Sequence, residues 1–84
     1  MKDKVLVEIV VPSVELSYDI FIPVSRKVGN VIALVTKTVF ELSNGIFTPD
    51  EHTLFYDYNS GLPYELDVLI KDTNIRNGSK VILF

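Results

Sequence analysis

The chain has 84 residues, 11 acidic and 8 basic side chains, a net charge of −3, and no cysteine. That length is one domain, 1–84, and with an acidic balance and no basic stripe nucleic acid is not an expected partner. Without cysteine there is no disulfide frame, thiolate metal site or cysteine nucleophile, and no apolar run is long enough to cross a bilayer.

Val5 to Val11 carries Val5, Val7, Ile9 and Val11 on one parity and Lys4 and Glu8 on the other, the alternation of a strand with one buried face. Pro12-Ser13-Val14-Glu15 reads as a turn. Leu16 to Ile22 alternates again, with Leu16, Tyr18, Ile20 and Ile22 opposed to Ser17, Asp19 and Phe21, so the chain opens with a hairpin. Pro23 ends the second strand, and Ser25 is a candidate helix N-cap.

Val28, Val31, Ile32, Val35, Val39 and Leu42 then recur at helical spacing, defining one buried helix face. Valine and threonine lose side-chain freedom in a helix, but the length, the period and the Asn44-Gly45 stop favour one here. A loop over 47–51 leads to a strand from Thr53 to Tyr58. Asn59-Ser60-Gly61 turns the chain. Leu62 to Leu66 is expected to be a short edge strand, because Pro63 lacks a donor. Val68 to Ile75 reads as a compact loop or single helical turn, Arg76 to Ser79 as a turn, and Lys80 to Phe84 as the closing strand. The predicted class is α+β, a mixed sheet with one helix packed across it, in the order β-β-α-β-β-β.

That order resembles ubiquitin, the type member of the β-grasp fold. Val28, Val31 and Val35 follow Pro23 as the buried helix face follows a proline there. Gly45-Ile46 and Pro49-Asp50 resemble the loop after that helix. Residues 69–75, Leu-Ile-Lys-Asp-Thr-Asn-Ile, resemble the segment before ubiquitin's last strand, with Thr73 in place of a supporting tyrosine. Residues 18–23, 30–35 and 69–78 are also similar to the YukD/EsaB-like bacterial ubiquitin-like proteins. That resemblance implies a small cytoplasmic accessory or regulatory component of a type VII (ESX-like) secretion system in Gram-positive bacteria. Related domains form the cytosolic part of a membrane subunit of the same machinery, which is the alternative reading.

Conjugated ubiquitin-like modifiers and sulfur carriers end in a diglycine tail. This sequence closes on Val81-Ile82-Leu83-Phe84, so the chain is expected to be non-conjugated; a native C-terminus extending to a diglycine would revive the modifier reading. His52, the single histidine, stands between Glu51 and Thr53 and reads as a solvated loop residue rather than a general base. The carboxylate pairs Asp50-Glu51 and Glu65/Asp67 lack the spacing of a metal loop, and the four glycines are scattered rather than gathered into a phosphate loop. No catalytic residue, cofactor or metal is expected.

Function is therefore sought in binding. Strand parity is read as directing Leu54, Tyr56, Val81 and Leu83 toward the helix and Phe55, Ile82 and Phe84 onto the open face. By position the latter three correspond to ubiquitin's main recognition patch, and Phe21 joins them on the outward parity of the second strand. The mean hydropathy of +0.30 is high for so small a chain, and apolar residues left outside tend to mark interfaces. The expected partner is another protein, a secretion-machinery subunit among the candidates, with self-association through the same patch also open. Tyr18 and Tyr56 are expected in the core with their hydroxyls at an edge, and Lys2, Lys4, Arg26 and Lys27 as solvated ends.

Overall fold

The computed structural model describes residues 3–84; Lys2 lies outside them. Strand β1 (Lys4–Val11) and strand β2 (Leu16–Pro23) form an antiparallel hairpin, in register from Lys4↔Pro23 to Val11↔Leu16. The connection is a 3-10 turn over Pro12–Val14, closed by Glu15 at φ 56°. Helix α1 (Val28–Leu42) follows, then β3 (Phe55–Asp57) and β4 (Lys80–Leu83). The four strands make one mixed sheet in the order β2-β1-β4-β3, with β4 parallel to β1 and antiparallel to β3.

The alternation of β1 does what the sequence implies: Val7, Ile9 and Val11 are fully buried. With Ile22, Val81 and Leu83 they form the floor of one core, and α1 closes it with Val28, Val31, Ile32, Val35 and Val39. Phe47, Ile70 and Ile75 seal it from the loops. One face of the sheet is thus covered and the other is left open.

The helix begins without a side-chain cap. Lys27, not Ser25, is the N-cap residue. Tertiary contacts satisfy the first free amides instead: Val28 N–H donates to the Val68 carbonyl at 2.8 Å and Gly29 N–H to the Leu66 carbonyl at 3.0 Å. At the other end Leu42 is 55% exposed, not buried. Thr36 lies in the covered face and donates to the Ala33 carbonyl at 3.0 Å.

Two strand expectations are corrected. The segment 62–66 forms no strand, since Pro63 lacks the amide that would continue a ladder. It makes an isolated bridge, Tyr56↔Pro63, flanked by Asp57 N–H to the Leu62 carbonyl (2.8 Å) and Tyr64 N–H to the Phe55 carbonyl (2.9 Å). Strand β3 is three residues long rather than six, and its faces are opposite to the expected ones. The pairing Phe55↔Leu83 fixes this: directly paired residues share a face, and Leu83 is fully buried. Phe55 therefore points into the core and Tyr56 out.

The segment before β4 contains a single 3-10 turn, Ile70–Asp72. Thr73 holds it: its hydroxyl donates to the Ile70 carbonyl at 2.6 Å and accepts from Ile75 N–H at 3.1 Å. A short hydroxyl bonded to the local backbone closes this loop without an aromatic ring.

Candidate protein-interaction surface

The open face of the sheet can be read off the register. Ser17 pairs with Val10, Val10 with Ile82, and Ile82 with Tyr56. One row crosses all four strands, and its last three members are apolar or aromatic and half-buried. Phe84 extends the row past the end of β4 and is 67% exposed. Its backbone is fixed to the chain before β3 by two bonds, Leu54 N–H to the Phe84 carbonyl (3.0 Å) and Phe84 N–H to the Leu54 carbonyl (3.1 Å). Beside this corner lies a cleft of ≈ 310 Å³, lined by Tyr56, Phe84, His52 and Phe47 among others.

Of the four residues singled out from the sequence, Ile82 and Phe84 stand together on this face. Phe55 does not belong to it. Its side chain has 0% exposure and packs with Val81 and Leu83 in the core, because strand pairing set its parity. Phe21 is 50% exposed and on the outward parity, but it pairs with Leu6, four residues along β1 from the Val10–Ile82 row. Six residues of strand separate its level from that of Phe84, roughly 20 Å at 3.3 Å per residue. Phe21 and Phe84 are therefore two surfaces. Val10 and Tyr56 are the members that sequence reasoning missed. The even-numbered parity of β1 carried the signal for Val10; Tyr56 required the register.

The row is flanked by polar groups. Glu8 pairs with Asp19 on one side and Lys80 on the other, and the Lys80 ammonium sits 5.1 Å from the centroid of the Tyr58 ring, within cation–π range. Nearby, the Tyr64 hydroxyl donates to Asn74 Oδ1 at 2.6 Å and Asn74 Nδ2 donates to Asp57 Oδ2 at 3.0 Å. The Asn74 amide and the backbone amide of Asn59 hold the Asp57 carboxyl below its usual range, while burial and the Asp57 charge push the Tyr64 phenol up. This network ties the 57–64 turn to the loop before β4 and keeps Tyr58 beside Lys80. His52 is solvated, its side chain 85% exposed and 3.5 Å from Glu51. Among the described residues no three His, Cys, Asp or Glu side chains gather in a metal-binding group.

The sequence pattern places both Tyr18 and Tyr56 inside. Tyr56 is on the open face. Tyr18 does pack against the core, but its hydroxyl is buried with no hydrogen-bond partner among the described residues rather than reaching an edge.

One helix across a mixed sheet ordered β2-β1-β4-β3, with parallel outer strands of the chain at its centre, is the ubiquitin-like β-grasp fold. No family model and no curated relative matches this sequence. Solved structures do. The chain is similar to the ubiquitin-like domain of the Mycobacterium tuberculosis type VII secretion system protein EccD1, with a TM-score of 0.76 and 19% identity over 95% of this chain and 96% of that one. A chain of the MycP5-free ESX-5 inner membrane complex matches with a TM-score of 0.71 and 10% identity; it covers 98% of this chain, which spans only 21% of that longer one. A chain of the toluene 4-monooxygenase HD complex matches equally well in shape, with a TM-score of 0.75, 12% identity and 95% coverage of both chains. At these identities the likeness shows the fold, and the fold alone serves several functions.

Proposed function

We propose that this chain is a ubiquitin-like protein-interaction module that acts by non-covalent docking, as an accessory or regulatory component of a type VII secretion system in the cytoplasm of a Gram-positive bacterium. The observation that carries the docking reading is the row Val10–Ile82–Tyr56 with Phe84 at its end: an apolar strip on the one sheet face the helix leaves open. Contiguous apolar surface of this kind marks interfaces. The secretion reading is supported by the likeness in fold to the EccD1 domain and by the resemblance of residues 18–23, 30–35 and 69–78 to stretches of YukD/EsaB-like proteins.

The test is affinity capture from cytosolic and membrane fractions, run with wild type, Ile82→Asp and Phe84→Asp side by side. Secretion subunits retained by wild type and lost from both variants support the reading; the same subunits retained by all three remove the open face from it. A second reading, a cytosolic domain of a larger membrane subunit, is favoured by the match to part of a chain in an inner membrane complex. Detection of the native polypeptide in the membrane fraction, at a mass well above 9.5 kDa, would favour that reading over a free-standing protein.

A further inference from the structure

The two edges of the sheet are not alike. At the β3 edge, the Phe55 carbonyl and the Asp57 amide are occupied by Tyr64 and Leu62. At the β2 edge nothing similar happens. Val24 N–H donates to the Asp3 carbonyl at 2.9 Å, one step beyond the Lys4↔Pro23 pair. In an antiparallel ladder such bonded pairs alternate, so Leu16, Tyr18, Ile20 and Ile22 bond toward β1. The amides and carbonyls of Ser17, Asp19 and Phe21, and the Pro23 carbonyl, point away from the sheet. None of these has a hydrogen-bond partner among the described residues outside the β1 ladder. Proteins guard long edges with charges, prolines or bulges; over these eight residues the guards are one carboxylate, Asp19, and a proline at the very end. Alongside runs a groove of ≈ 410 Å³ between β2 and α1, with Leu34 about half exposed on it.

We propose that this edge pairs antiparallel with the same edge of a second copy of the chain, joining two four-stranded sheets into one. Charge identifies the occupant. Glu15 lies just before the start of β2 and Asp19 near its middle; Lys4 and Arg26 lie at its far end, where Asp3 is the one carboxylate beside them, and neither base makes an ion pair among the described residues. A two-fold axis at Ile20 places Asp19 opposite Phe21 of the partner copy and Ser17 opposite Pro23 of the partner copy. It thereby sets each Glu15 end against the other copy's Arg26 end, twice. A register centred on Asp19 would face two carboxylates, and a one-residue slip would put the two apolar faces on opposite sides. An isologous contact of this kind closes on itself. The surface is separate from the open face, so the proposal stands or falls independently of the function proposed above.

Sedimentation velocity on the full chain tests it, over concentrations from about 10 µM to about 1 mM, the range in which a small interface dissociates. A concentration-dependent dimer is expected. Amide exchange of Ser17, Asp19 and Phe21 should slow as concentration rises, while that of Tyr18, Ile20 and Ile22 is slow throughout. Glu15→Lys and Arg26→Glu should each be monomeric alone and form a heterodimer when mixed, because mixing restores both end contacts. Asp19→Pro removes an outward amide without touching the β1 ladder and should be folded and monomeric; Ile82→Asp should still dimerise. A wild type that stays monomeric across the range, or charge-swapped chains that fail to pair on mixing, overturns the proposal. So does a monomer whose β2 edge is protected only when an unrelated extended peptide is added.

Discussion

Phe55 is the residue whose environment decides most about how this domain can be probed. It is the largest fully buried side chain, so Phe55→Ala should lower unfolding free energy by about 3–5 kcal/mol, read by denaturant titration. An aspartate there would unfold the domain and report nothing about binding. Tyr18 is the opposite case. Its hydroxyl is buried without a partner among the described residues, and an unpaired buried polar group costs free energy. Tyr18→Phe should leave stability unchanged or raise it by about 1 kcal/mol, measured in the same titration. Asp57 ties stability to pH. Its folded carboxyl is held below its ordinary value of 3.8, so the contribution is complete above that value and is lost as pH falls through the folded pKa. Asn74→Ala should move the carbon-13 titration of Asp57 back up toward the ordinary range, and a midpoint unchanged by that substitution would contradict the hydrogen-bond account.

Elements here are set by their ends as much as by their interiors. Helix α1 has the apolar period of a surface helix, yet its first free amides go to the Val68 and Leu66 carbonyls, 40 and 37 residues later in sequence. No local signal could have disclosed this, and Ser25 was the nearest local substitute. The far end is more legible. Asn44 and Gly45 stand at φ 55° and 78°, and Gly45 N–H returns to the Phe40 carbonyl at 2.8 Å, closing the helix as the Asn-Gly pair implies. Gly45→Ala should therefore cost about 1 kcal/mol through the left-handed backbone alone, visible as a lowered Tm; no change in Tm would mean that the turn relaxes without it. Strand β3 shows the limit of local reading. Leu54, Phe55, Tyr56 and Tyr58 are apolar or aromatic on both parities, so the period carries no information about which face is buried.

At the scale of the molecule, the helix covers one face and leaves Val10, Ile82, Tyr56 and Phe84 on the other. Phe84 is largely exposed, and its strand is held through backbone bonds. Phe84→Asp should therefore shift stability by no more than about 0.5 kcal/mol while removing partner binding. Urea denaturation alongside the capture experiment separates the two: lost binding with unchanged stability supports the face as an interface, and lost stability would return Phe84 to a structural role.

The sequence by itself determined the α+β class, the hairpin, the helix with most of its buried face, and the outward placement of Ile82, Phe84 and Phe21. These rest on period and punctuation, which are local. Only the tertiary structure decided that Phe55 turns inward, that Tyr56 takes its place outside, and that the 62–66 segment forms a bridge rather than a strand. It likewise separated Phe21 from Phe84 and left the β2 edge unpaired. Each of those outcomes follows from register between strands distant in sequence, and register is fixed by pairing, not by the alternation within any one strand.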